Sequence, residues 1–125
     1  MAATYNNLYL DARKRLREAG VEGAQLEARE LVCCAAGKSR EQFYRDMALY
    51  ASDPVEEKLA ELLERRLAGE PVAYLIGEWE FYGLGLDITP DVLIPRMDTE
   101  VLAERAILLA RAAGEGARVL DLCAG

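Results

Sequence analysis

The apolar residues change their period at Pro71, and that switch divides what the two parts of this chain can become. Before it, apolar side chains recur three and four residues apart, the spacing that lines one face of a helix. Thr4 caps a helix carrying Tyr5, Leu8, Tyr9, Ala12, Leu16 and Ala19, with Gly20 as its stop. A second helix is predicted over 24–36 on the stripe Ala28, Leu31, Val32 and Ala35, ended by Gly37. Ser39 is placed to cap a short third helix bearing Phe43 and Met47. Asp53-Pro54 reads as an N-cap followed by proline at the first helical position, with Glu56 and Glu57 near the positive helix end. Leu59, Leu62, Leu63 and Leu67 form the stripe of that fourth helix, which stops at Gly69. Four amphipathic helices on loops this short pack as a small bundle.

After Pro71 the pattern turns extended. Residues 72–76 read either as one more helical turn or as a buried extended run. The partial alternation of Glu78-Trp79-Glu80-Phe81-Tyr82, the punctuation by Gly83 and Gly85, and the resumption at Leu86-Asp87-Ile88 predict a hairpin. Thr89-Pro90 and Ile94-Pro95 brace a loop, because each proline holds its predecessor away from the α region. Asp98 or Thr99 is expected to cap the next helix, whose stripe is Leu102, Ala106, Leu109, Ala110 and Ala113, with Gly114 or Gly116 as its end. Residues 118–122 then predict a strand running into Cys123-Ala124-Gly125. An apolar strand closing in Asp-Leu-X-X-Gly after an amphipathic helix is how a nucleotide-binding parallel sheet begins. A lone strand cannot satisfy its own backbone. The expectation is a chain interrupted one step into a second domain, its tail mobile or resting on a neighbouring molecule.

Composition narrows the function classes. The 125 residues are 52% apolar and carry a net charge of −7, too apolar for a disordered acidic tail. There are 11 basic against 13 acidic residues in 1–70, and 4 against 9 in 71–125. That balance disfavours nucleic acid as a direct partner. There is no His, and Cys33, Cys34 and Cys123 lack zinc-site spacing, so no metal site and no Cys–His pair is expected. An odd cysteine count and the lack of a secretory signal suit a reducing, cytoplasmic setting. No stretch approaches the roughly 20 apolar residues of a membrane span.

Several clusters admit two readings on pattern alone. Gly125 and the residues before it form either a cofactor-approaching turn or an ordinary strand and turn. Leu93 to Glu100 is either a braced binding loop or a helix start with an Arg96–Glu100 ion pair. Glu78 and Glu80 share a strand face as an acid–base pair or as the wet side of the hairpin, and the Tyr74, Trp79, Phe81 and Tyr82 aromatics form a joint between modules or a peptide-docking surface. The dense charges of helices 1 and 4 are a solvated surface or a protein-docking face.

Two stretches carry a likeness. Pro71-Val72-Ala73-Tyr74-Leu75-Ile76-Gly77, followed by Glu80-Phe81-Tyr82 and by Leu93-Ile94-Pro95-Arg96-Met97-Asp98-Thr99-Glu100, resembles the protein-(glutamine-N5) methyltransferases that modify peptide chain release factors. Val119-Leu120-Asp121-Leu122-Cys123-Ala124-Gly125 looks like the start of their S-adenosylmethionine motif. Met97 stands where that family commonly has a second proline, and Ala124 where a Thr is common. The resemblance implies a mainly α chain: a helical substrate-recognition bundle over 1–70, a β-hairpin linker over 71–92, and over 93–125 the truncated start of a doubly wound α/β methyltransferase domain. It implies S-adenosyl-L-methionine as cofactor and a release factor, methylated on the glutamine of its Gly-Gly-Gln loop, as partner. Asp121, Cys123, Ala124, Gly125 and Phe81 fall on the cofactor side; Arg96, Asp98, Thr99 and Glu100 fall on the loop at the substrate pocket. The family's Asn-Pro-Pro-Tyr motif is not among these residues, so no catalytic residue is expected here and the chain alone is expected to be inactive. The rival readings are a free-standing helical interaction module and an N-terminal extension of a nucleic-acid methyltransferase.

Overall fold

The structure, a computed structural model, describes residues 2–124 and divides into two compact units, 1–77 and 78–125. The first is all helical. α1 (Tyr5–Glu18) begins where the Thr4 hydroxyl accepts a hydrogen bond from the Asn7 amide at 3.1 Å. α2 (Ala24–Ala36) stops at Gly37, whose φ of 66° is the left-handed conformation that glycine adopts without a Cβ penalty. α3 (Arg40–Arg45) carries a reciprocal cap: the Ser39 hydroxyl accepts from the Gln42 amide, and the Gln42 side chain accepts from the Ser39 amide. Met47 falls beyond this helix, in the turn that follows.

α4 (Asp53–Leu67) starts one residue earlier than the sequence pattern placed it. Ser52 is its N-cap and Asp53 its first helical residue, where a carboxylate still faces the positive helix end. The ambiguous 72–76 segment is helical, forming α5 (Val72–Ile76), with Gly77 in the left-handed region at its end.

α2 sits at the centre of this unit, packed against α1, α3, α4 and α5. Its Ala28, Leu31 and Val32 meet a core made of Ala12 and Leu16, Phe43, Leu59, Leu62 and Leu63, and Val72 and Ala73. Each large apolar side chain so buried contributes about 1.5–3 kcal/mol relative to exposure. The Phe43 ring, 1% exposed, lies edge-on to Tyr9 with centroids 5.7 Å apart.

The second unit holds β1 (Glu78–Phe81), β2 (Leu84–Asp87) and α6 (Met97–Ala113). The strands pair antiparallel from Glu78↔Asp87 to Phe81↔Leu84. That register leaves Tyr82 and Gly83 as a two-residue loop with φ of 50° and 77°, the primed turn whose twist matches its strands. Glu78 and Glu80 are exposed while Trp79 and Phe81 are half-buried, as the alternation required. The N-cap of α6 is Arg96, two residues before Asp98 and three before Thr99, the expected caps; it makes no side-chain cap, and α6 buries no residue.

Residues 118–122 do not form the predicted strand. A strand is defined by its ladder, and no partner for this run exists among the described residues. Val119, Leu120 and Leu122 are each at least 74% exposed. The architecture is therefore a mainly helical bundle, a short antiparallel hairpin and a further helix. Among the described residues no helix is long and apolar enough to cross a membrane.

Candidate functional site

Within the predicted site, the 93–100 loop runs into the first turn of α6. Ile94 and Pro95 are half-buried, whereas Arg96, Asp98 and Thr99 are exposed. Glu100 takes a different partner from the one expected. Its Oε1 accepts a hydrogen bond from the Tyr82 backbone amide at 2.8 Å, and no ion pair joins it to Arg96 among the described residues. The reason lies in the turn: the first residue of a two-residue hairpin loop has an N–H outside the strand ladder, and a carboxylate one helical turn into α6 meets it. The hairpin tip and the first turn of α6 are thereby tied together. Sequence reasoning missed Tyr82 in this role, because it weighed the ring and the contact uses the backbone. The Tyr82-Gly83 pair between alternating strands was the available signal.

Phe81 lies one residue from that tie, half-buried on β1. Asp121, Cys123 and Ala124 are exposed in an irregular segment, and Gly125 lies outside the described residues. Cys123 has a φ of 58°, so the backbone does turn there. Asp121, Cys123 and Ala124 have no hydrogen bond or ion pair to Phe81 or to 96–100 among the described residues. A cofactor needs enclosure as well as a turn, and these residues alone supply no walls. They do not fit S-adenosylmethionine as a complete site. Among the described residues no group of three or more Cys, Asp or Glu side chains could hold a metal ion.

The helical unit has its own electrostatics. Asp46 is buried and receives hydrogen bonds from Arg45 at 3.0 Å and from Lys38 at 2.8 Å; these bonds, Arg45's first, pull its carboxyl down to about 2. Burial pushes the Cys33 thiol up to about 11, with Glu30 adding to the rise, so it is a neutral space-filler at pH 7 and no nucleophile. Arg66 pairs with Glu27 between α4 and α2, and Arg65 with Glu70 at 2.7 Å. A shallow cleft lined by Leu8, Asp11, Arg15, Glu56 and Leu63 runs between α1 and α4.

Comparison with known proteins bears on both units. The family profile described as the PrmC N-terminal domain matches residues 7–77. The release factor glutamine methyltransferase of Haemophilus influenzae is 44% identical over 89 residues, covering 71% of this chain and 30% of that protein. That of Bordetella pertussis is 48% identical over 107 residues, covering 81% and 37%. That of Vibrio cholerae is 38% identical over all 125 residues, and 43% of its own length is covered. The chain thus spans less than half the length of these relatives.

Proposed function

Since the chain belongs to the PrmC N-terminal domain family, we propose that it is the partner-recognition part, with the following linker and first elements, of a release factor glutamine methyltransferase. The helical unit docks the release factor. The hairpin and the 93–100 segment lead from it to the S-adenosylmethionine-dependent domain, with Arg96, Asp98, Thr99 and Glu100 at the substrate pocket and Phe81, Asp121, Cys123, Ala124 and Gly125 toward the cofactor. The observation that carries this reading is the coincidence of two boundaries: the family match ends at 77, where the compact helical unit also ends. Similarity to the Vibrio cholerae enzyme continuing through all 125 residues supports extending it past that point.

The reaction proposed for the whole protein is methylation of the glutamine amide in the factor's Gly-Gly-Gln loop. An amide nitrogen is a feeble nucleophile, so the demand falls on orientation at near-attack distance. The Asn-Pro-Pro-Tyr motif that the family resemblance assigns to holding that amide is not among these residues. The 125 residues alone are therefore proposed to bind a release factor without methylating it.

Two titrations test the reading. A release factor titrated into the 125-residue chain should give saturable binding; no binding, with helicity intact by circular dichroism, overturns the docking role. S-adenosylmethionine titrated calorimetrically should give no measurable heat. Micromolar affinity would show that the cofactor site is complete within these residues and would overturn the division proposed.

A further inference from the structure

On sequence, α1 and α4 are both crowded with charge, but α1 carries four basic residues against two acidic ones and α4 three against five. The structure separates them further by pairing both arginines of α4, Arg65 with Glu70 and Arg66 with Glu27, which leaves Lys58 as its single cation outside an ion pair among the described residues. Elsewhere in the helical unit Arg29 and Arg40 reach Glu30, and Lys38 and Arg45 reach Asp46.

α1 differs. Arg13, Lys14 and Arg17 fall on one side of the helix by their one-, three- and four-residue spacing, and none meets a carboxylate among the described residues. Lys14 and Arg17 are exposed, and the Arg13 guanidinium lies 5.5 Å from the centroid of the Tyr9 ring. Leu10, one turn before Arg13 and Lys14 on the same side, is 39% exposed. Asp11 and Glu18 stand at the edge of this face, and Arg15 points to the other side, where it lines the cleft with Glu56. A cation in the last turn complements the helix end, which accounts for Arg17. It accounts for neither Arg13 and Lys14 nor an exposed leucine among them.

We propose that this face of α1, Leu10 with Arg13, Lys14 and Arg17, docks an acidic surface of a protein partner. The partner's identity as the release factor rests on the function proposed above. Charge complementarity carries the choice of an acidic occupant: three unneutralised cations converge on a protein whose net charge is −7. An apolar anchor with a charged rim is the anatomy of a protein contact. A polyanion such as RNA would meet the repulsion of the acidic groups that dominate the rest of the molecule.

The test uses the full 125-residue chain and a release factor, read by anisotropy at two salt concentrations, with circular dichroism as the fold control. Joint Arg13→Glu, Lys14→Glu and Arg17→Glu substitution should weaken binding by roughly tenfold or more and flatten its salt dependence. Lys14→Glu alone should weaken it measurably, while the matched Lys58→Glu on α4 should not. The joint Arg13→Lys and Arg17→Lys variant should retain salt-sensitive binding. Native binding left unchanged by the triple reversal overturns the α1 assignment and leaves the functional reading standing. No binding by the native chain overturns both. A short single-stranded RNA that binds the native chain more tightly than the release factor, and is lost in the triple variant, overturns the choice of a protein partner.

Discussion

Leu31 in α2 and Leu109 in α6 share one feature of the apolar stripe, an alanine three residues before and an alanine four residues after. Leu31 is fully buried, and Leu109 is 58% exposed. α2 is packed by four other helices, whereas α6 buries none of its residues. An amphipathic stripe is therefore only half of a hydrophobic interaction, and its stabilising value depends on the layer that covers it.

The sharpest way to break this comparison is to truncate both leucines. Leu31→Ala should destabilise the helical unit by about 2–5 kcal/mol, from lost transfer energy and the cavity left behind. Urea unfolding followed by far-UV circular dichroism measures it. A cost below about 1 kcal/mol would mean that the core collapses around the gap and is less closely packed than described.

Ser39→Ala comes next in size. It removes a side-chain acceptor from the start of α3 and breaks the reciprocal cap with Gln42, at a cost of about 1 kcal/mol in the same assay. An unchanged midpoint would place α3 outside the cooperative unit.

Asp46 sharpens the comparison through pH. Its folded pKa, about 2, lies below the ordinary aspartate value of 3.8, so its contribution is present above that ordinary value and is lost as the pH falls toward 2. The native helical unit should accordingly lose stability across that acid window. Asp46→Asn should be less stable at neutral pH and should show a shallower acid decline; superimposable pH profiles would remove Asp46 from the account. The smallest effect is expected at Leu109→Ala, within about 0.5 kcal/mol in this chain. A core-sized loss there would mean that α6 is covered in solution.

Much of the helical unit was legible because the signals are local. Thr4, Ser39, Gly37 and Gly69 mark ends through hydrogen bonds and dihedral angles only a few residues long, and all four act where the sequence placed them. The hairpin was equally readable from alternation and its glycines. The proposed site was less so. Arg96 and Glu100 are spaced for an ion pair, but the carboxylate goes to the Tyr82 amide, eighteen residues away in sequence. α6 starts at Met97 with Arg96 as its N-cap and no side-chain cap, using neither Asp98 nor Thr99 for that purpose.

By itself the sequence determined which stretches form the four longer helices of the bundle and the helix after the hairpin, that a bundle precedes a hairpin, and that the overall balance of charge is acidic. Each of these depends on bonds or sums that a short stretch of chain completes alone. Only the tertiary structure decided that 72–76 is helical, that 118–122 has no ladder among the described residues, and that Arg13, Lys14 and Arg17 of α1 meet no carboxylate there while Arg65 and Arg66 of α4 are paired. Those outcomes depend on what lies across from a residue. A strand needs a second strand, a buried turn needs a neighbouring helix, and an ion pair needs a partner brought from elsewhere in the chain.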